Sequence, residues 1–477
     1  MIRLPGTGVY ESDTFHDLCD ELGMLVWQDF MFANFDYPVE DDDFRVAVEQ
    51  EARQELERIA GRPSLAVLCG NSEVEQQVAM FGLDPALGRG SLFGELLPQL
   101  VTESGADAPY VPSSPCGGAL PFRPASGVAN YFGVGGYRRP LSDARLAEVH
   151  FASECLAFAN LGDGSAPGEG WTPRDVGSAW DFQDVRDHYL ELLHGLDPDA
   201  LRQSEPERYA ALSRAVPGEV MAEVMGEWRR SASPCHGALV LCLRDVVAGA
   251  GWGVVDSAGV PKEVYHHLRR ALAPVACWTT DEGLGGIAVH VANDRGYSLQ
   301  ALLRVSLYKD GEQLVDEAVT ELELAPHGDW TGDVEGLLGH FRDVAWAYRF
   351  GAPAQDAVVV TLLGADGDRL VSQSVRFPTG RPKGCQPAHE LGLEMELRTA
   401  TEGAPQLSLS SRRLVYGVRL HVPGFLPDDD AFCLEPGRER VVALRPVGTG
   451  AADPGTATVT ALNLAGSVPI EAAGAQP

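Results

Sequence analysis

Short apolar runs alternate with amphipathic helical stretches through the first half of the chain. From Asp13 to Leu22, the residues Phe15, Leu18, Cys19 and Leu22 recur at helical spacing, and Gly23 then ends the period, because glycine takes a left-handed backbone at little cost. Met24 to Asp29 reads as a short buried strand. Asp41 to Ile59 reads as a charged amphipathic helix, and Pro63 precedes an apolar strand over 65–69. Further strand-like runs cover 108–114, 128–132 and 149–153. The last, 237–245, leads into a helix carrying Tyr265, Leu268 and Leu272. Strands that alternate with helices over this length predict a parallel sheet or a (β/α) barrel.

The pattern changes after about residue 283. Runs 286–293, 301–308 and 357–363 are strand-like and separated by Gly, Asp and Asn turns, which is the pattern of an antiparallel sandwich. Pro378 to Pro387 reads as a linker rich in Gly and Pro. A smaller all-β module follows, with strands near 391–397, 406–409, 414–421 and 455–462, and the tail from Ala472 to Pro477 is expected to fray. The predicted domains are therefore 1–282, 283–380 and 388–470.

Composition narrows the function. Apolar content of 45% and charged content of 22% over 477 residues fit a globular protein of several domains. A net charge of −31 argues against nucleic acid or an anionic membrane as partner and is compatible with an uncharged substrate such as a sugar. The nine cysteines include no Cys-x-x-Cys pair and no zinc-like Cys/His spacing, so they read as reduced thiols of a cytoplasmic protein. No secretory signal or membrane-length apolar run is visible. Gly133, Gly135 and Gly136 lack the context of a dinucleotide site, and Asp428 to Asp430 offer too few ligands for calcium, so neither metal nor cofactor is expected. His266 and His267, on a charged helix, are expected to face solvent.

Two apolar strands each run into a glutamate: Leu65 to Glu73, and Val149 to Glu154. Most glutamates after strands are solvated or sit at helix N-termini. A pair at the C-terminal ends of two barrel strands is also what retaining glycoside hydrolysis needs, with carboxyl groups roughly 5–5.5 Å apart.

Pro5-Gly-Thr-Gly-Val-Tyr-Glu-Ser12, Phe15 to Gly23, Leu25-Val-Trp-Gln-Asp-Phe30 and Cys69-Gly-Asn-Ser-Glu73 occur in that order. Together they resemble the barrel domain of family 2 glycoside hydrolases, the β-mannosidase branch in particular. Phe151-Ala-Ser-Glu154 is similar to that family's nucleophile strand, and Gly251 to Lys262 with Leu268 to Pro274 is similar to the end of its barrel. The resemblance covers roughly residues 1–280. It implies an incomplete (β/α)8 TIM-type barrel followed by immunoglobulin-like β-sandwich domains, acting on a carbohydrate as a retaining exo-β-glycosidase through a covalent glycosyl-enzyme.

Carried over residue by residue, Glu73 matches the acid/base and Glu154 the nucleophile. Asp29 matches a sugar-hydroxyl ligand, with a barrel-end salt bridge as the equal alternative. Asn71 and Tyr131 match groups that bond the sugar or the nucleophile, and Trp27 matches a sugar-stacking ring, although buried tryptophan is more often core. The chain departs from the family at Ser72, where an asparagine is usual, at Leu241 to Asp245, and at Cys155-Leu156. Residue 1 falls at what resembles the second barrel strand. The chain therefore reads as a fragment, as one completed by a separate polypeptide, or as one whose C-terminal material plugs the gap. The alternative function is an inactive or partner-dependent carbohydrate-binding or scaffold subunit.

Overall fold

Parallel strands and intervening helices organise the first half of the chain. The computed structural model describes residues 1–163, 179–398, 404–447 and 457–470. The tail expected to fray lies outside the described residues, as do positions 455 and 456 of the last predicted strand.

Strands β1 (Ile2–Leu4), β2 (Val26–Asp29), β3 (Leu65–Cys69) and β4 (Tyr110–Val111) form one sheet in the order β1-β2-β3-β4. All neighbours are parallel, with Arg3 opposite Trp27, Trp27 opposite Val67, and Cys69 opposite Val111. A second parallel sheet has the order β5-β6-β7, from β5 (Ala129–Tyr131), β6 (Ala152–Cys155) and β7 (Ala238–Val240).

Helix α1 (Asp13–Leu22) starts at Ser12, whose side chain accepts from the Phe15 N–H, and stops at Gly23, whose φ of 66° is left-handed. Helix α2 (Asp42–Ile59) is capped by Asp41 and buries Val48, Ala52, Leu56 and Ile59 in a cluster with Phe30, Phe32, Leu68 and Leu97. Burial of each large side chain there contributes roughly 1.5–3 kcal/mol. Helix α3 (Val74–Met80) follows β3 directly.

The chain divides into two compact units, Met1–Ala157 with Ala232–Leu241, and Phe158–Ser231 with Cys242–Pro477. The helices Phe182–His194, Pro206–Trp228 and Glu263–Ala271 thus belong with the sandwiches.

In the second unit, β8 (Val275–Asp281), β9 (Ile287–Asn293) and β12 (Gly328–Asp333) form one antiparallel sheet. Strands β10 (Leu299–Lys309), β11 (Gln313–Leu324), β13 (Ala357–Gly364) and β14 (Leu370–Arg376) form another. Their inner faces share a core of Val289, Val291, Leu303, Val305, Val358 and Val360. A second pair of sheets follows, β15 (Glu394–Arg398), β16 (Gln406–Ser410), β20 (Arg440–Pro446) and β18 (Phe425–Pro427), facing β19 (Phe432–Leu434), β17 (Val415–His421), β21 (Thr458–Thr460) and β22 (Val468–Pro469).

Buried polar hubs tie these modules together. The Glu435 carboxylate accepts from Arg304 Nη2 at 2.8 Å, Tyr308 Oη at 3.0 Å, Gln373 Nε2 at 3.1 Å and Thr361 Oγ1 at 3.3 Å. Arg419 donates to Asp163, Glu263 and Asp430. Burial pushes the Glu263 carboxyl up to about 7, although Arg419 opposes the shift. Glu219 accepts from Tyr416 and Arg381, so the predicted linker is pinned by its arginine. The expectation for the histidine pair is corrected here. His266 is buried, and the His267 ring lies where a Cβ on Gly218 would come within 2.6 Å of it, so the pair packs against the helix Pro206–Trp228. Among the described residues no helix is long and apolar enough to cross a membrane.

Candidate active site

The first unit brings both predicted glutamates to strand ends. After β3 the chain passes through Gly70, where a Cβ would come within 2.4 Å of the Pro112 carbonyl oxygen, and enters a tight turn. Glu73 holds a left-handed φ of 67° at the N-terminus of α3, a conformation that costs a non-glycine residue roughly 1–2 kcal/mol. Asn71 and Ser114 stabilise the turn. The Asn71 side-chain oxygen accepts from the Val74 N–H at 3.0 Å and the Ser113 hydroxyl at 2.6 Å, its amide donates to the Pro112 carbonyl at 2.9 Å, and the Glu73 N–H donates to the Ser114 carbonyl at 2.8 Å.

Glu154 stands on β6 opposite Asn130 of β5, so in parallel pairing the two side chains project from the same face. Asn130 Nδ2 donates to Glu73 Oε1 at 2.7 Å. One asparagine therefore lies beside one glutamate and holds the other.

Arg3 is the central cation. Its Nη1 donates to Glu154 at 2.7 Å, its Nη2 and Nε donate to Asp29 at 2.7 and 3.3 Å, and Ser72 Oγ lies 3.4 Å from Nη2. Its side chain is 5% exposed, that of Asp29 0% and that of Glu154 18%. Asp29 also accepts from the Trp27 indole at 2.8 Å and the Gly6 N–H at 3.0 Å, so its oxygens meet four donors. Burial alone would lower the Arg3 guanidinium, but Asp29 and Glu154 hold it above its ordinary value. Burial likewise pushes the Glu154 carboxyl up. Arg3 pulls it back, and the neighbouring Glu73 carboxylate pushes it further up.

These facts sort the predicted residues. Glu73 and Glu154 keep partial exposure, whereas Trp27, Asp29, Asn71, Ser72 and Tyr131 are buried. Asp29 is salt-bridged to Arg3. The Trp27 ring, expected to stack on a sugar, is 2% exposed, packs on Phe151 at 5.5 Å and donates to Asp29. Asn71 is occupied as a cap, and the Tyr131 hydroxyl donates to Asp143 at 2.9 Å. Sequence reasoning missed Arg3 and Asn130. The signal was a polar residue between apolar neighbours in a buried strand, Ile-Arg-Leu and Ala-Asn-Tyr. Among the described residues no group of His, Cys, Asp and Glu is arranged to hold a metal ion.

The arrangement is chemically asymmetric. Glu154 has a buried cation as its partner. Glu73 is bonded through a neutral amide at one oxygen, Oε1.

No protein-family model matches the chain. It is 28% identical over 418 residues to β-mannosidase B of Aspergillus niger, covering 79% of this chain and 48% of that protein. It is 27% identical over 492 residues to β-mannosidase B of Emericella nidulans, covering 93% and 55%. Its fold is similar to the crystal structure of β-D-mannosidase from Dictyoglomus thermophilum, with TM-score 0.79, 20% identity, and 97% of this chain and 56% of that one covered. The Amycolatopsis orientalis exo-chitosanase follows with TM-score 0.66, 15% identity, and 98% and 59% covered. By sequence and by fold the chain is thus similar to β-mannosidases. It spans about half the length of the curated relatives it matches.

Proposed function

We propose that the chain carries the catalytic centre of a retaining exo-β-glycosidase, β-mannosidase-like, releasing a terminal β-linked sugar. Glu154 attacks the anomeric carbon while Glu73 gives its proton to the leaving oxygen. Glu73 then takes a proton from water, which hydrolyses the glycosyl-enzyme. The observation that carries this reading is the pair of strand-end carboxylates, one clamped by Arg3 and the other by Asn130. Mannose differs from glucose at one hydroxyl, so the sugar is read from a screen of aryl β-mannoside, glucoside, galactoside and glucosaminide. On the best of these, Glu73→Gln is expected to lose roughly 10²–10⁴-fold in turnover. Glu154→Ala is expected to lose turnover and to regain part of it with azide. Unchanged turnover in either variant would refute the assignment. The cysteines are all free among the described residues, which supports a reducing, cytoplasmic setting.

A second reading, a carbohydrate-binding or scaffold subunit that works with a partner chain, is favoured by one observation. Each of β1, β4, β5 and β7 is terminal in its sheet, and such edges invite pairing with another polypeptide. Sugar binding by calorimetry without hydrolysis of any aryl glycoside would favour this reading.

A further inference from the structure

Glu73 is gripped by a chain of hydrogen bonds that the proposed catalysis does not by itself require. Ser114 Oγ donates to Ser153 Oγ at 2.7 Å, Ser153 Oγ lies 3.1 Å from Asn130 Oδ1, and Asn130 Nδ2 donates to Glu73 Oε1 at 2.7 Å. Ser114 and Ser153 are 0% and 2% exposed, so neither exchanges these bonds for solvent. The chain closes on itself, because the Ser114 carbonyl also accepts the Glu73 N–H at 2.8 Å. The backbone and the side chain of one glutamate are thus fixed from the same serine.

The direction of the donors matters. With the Ser153 hydroxyl at Oδ1, the Asn130 amide turns its N–H to Glu73, so Oε1 is met by a donor and the acidic proton is favoured on Oε2, the oxygen without that donor. Aligned donors in a buried site also polarise one another. The Ser153 hydroxyl has a second acceptor, the Ala129 carbonyl at 3.2 Å, which keeps it in place beside β5.

We infer that Asn130, held by Ser153 and Ser114, is a positioning residue that reserves Glu73 Oε1 as an acceptor and directs proton exchange to Oε2. This rests on the reading of Glu73 as acid/base and goes beyond it, since it says which oxygen works and what decides that. An acid that is mispositioned fails most where the leaving group needs a proton.

The test compares phenyl and 2,4-dinitrophenyl β-glycosides of the sugar found in the screen, with Asn130→Ala, Ser153→Ala and Ser153→Thr. Asn130→Ala is expected to lose roughly 10–100-fold in kcat/KM on the phenyl substrate, with little change on the dinitrophenyl one, whose leaving group departs unaided. The basic limb of its pH profile should move up by about half to one unit, because the carboxylate loses a donor. Ser153→Ala should show the same pattern more weakly, and Ser153→Thr should restore it. Equal losses on both substrates, or no loss on either, would overturn the inference. If the chain turns over no glycoside, ¹³C NMR titration of the Glu73 carboxyl, assigned with Glu73→Gln, decides the matter. An upward displacement in Asn130→Ala supports the positioning role even though the catalytic reading has failed, and an unchanged titration overturns it.

Discussion

Removal of the Glu435 carboxylate should loosen the two sandwiches by an amount that the geometry sets. Glu435 has a side chain 1% exposed and faces an Arg304 that is 10% exposed, so Glu435→Ala leaves a guanidinium in a dry seam. The remaining carboxylate near Arg304 is Glu317, 3.9 Å from Nε and 30% exposed, which replaces little of the lost attraction. Breaking one side of a buried pair costs about 3–5 kcal/mol, and the Tyr308, Thr361 and Gln373 donors left without their acceptor keep the value in that range rather than below it. Native-state hydrogen exchange reads this locally, which matters because a chain of several modules does not unfold in one step. Amides of β10, β13 and β17 should exchange about 10²–10⁴-fold faster in Glu435→Ala. The double variant Glu435→Leu with Arg304→Met should return close to the parent, since replacing both charges removes the unpaired one. Acceleration below tenfold, or a double variant as labile as the single, would refute the reasoning.

Further outcomes follow from other sites. Arg3→Met strips the cation from a fully buried Asp29 and from Glu154, so Glu154 should protonate at higher pH and the acid limb of the pH–rate profile should rise; an unmoved limb would remove Arg3 from the site. His194 is buried, its ring nitrogens have no hydrogen-bond partner among the described residues, and burial lowers it to about 4. The unfolded chain then binds more protons between about 4 and 6.5, so stability rises with pH across that window and is lost on acidification. Urea unfolding of His194→Gln at pH 4 and pH 7 should show a difference smaller by about 3 kcal/mol than in the parent, and an identical difference would show that His194 does not titrate there.

The strands that read correctly are those whose apolar runs are bounded by turn residues: 65–69, 286–293 and 357–363 lie within a residue or two of β3, β9 and β13. Strand β11 was not legible. Its Val-Asp-Glu-Ala-Val-Thr-Glu-Leu-Glu-Leu run is acidic, and it forms the edge of its sheet, where charge guards against further pairing. Strand β1 is short and its middle residue is an arginine, so it carries almost no strand signal. The glutamates were visible because a strand-end carboxylate follows an apolar run. Their supports were not, since Arg3, Asn130 and Ser153 come from separate strands and meet only through the sheet register.

The return of the chain to its first unit at Ala232–Leu241 has a consequence for synthesis. Strand β6, which carries Glu154, leaves the ribosome with β5 as its sole sheet neighbour. Its other neighbour, β7, emerges only after the whole excursion from Phe158 to Ser231 has been made. The strand of Glu154 therefore waits half-paired during translation, and its segment, with the free thiol of Cys155 beside it, is the stretch where a pause or a chaperone would have the most to protect. A cut at a single point cannot release the first unit intact. Any excised form must keep 232–241 joined to it.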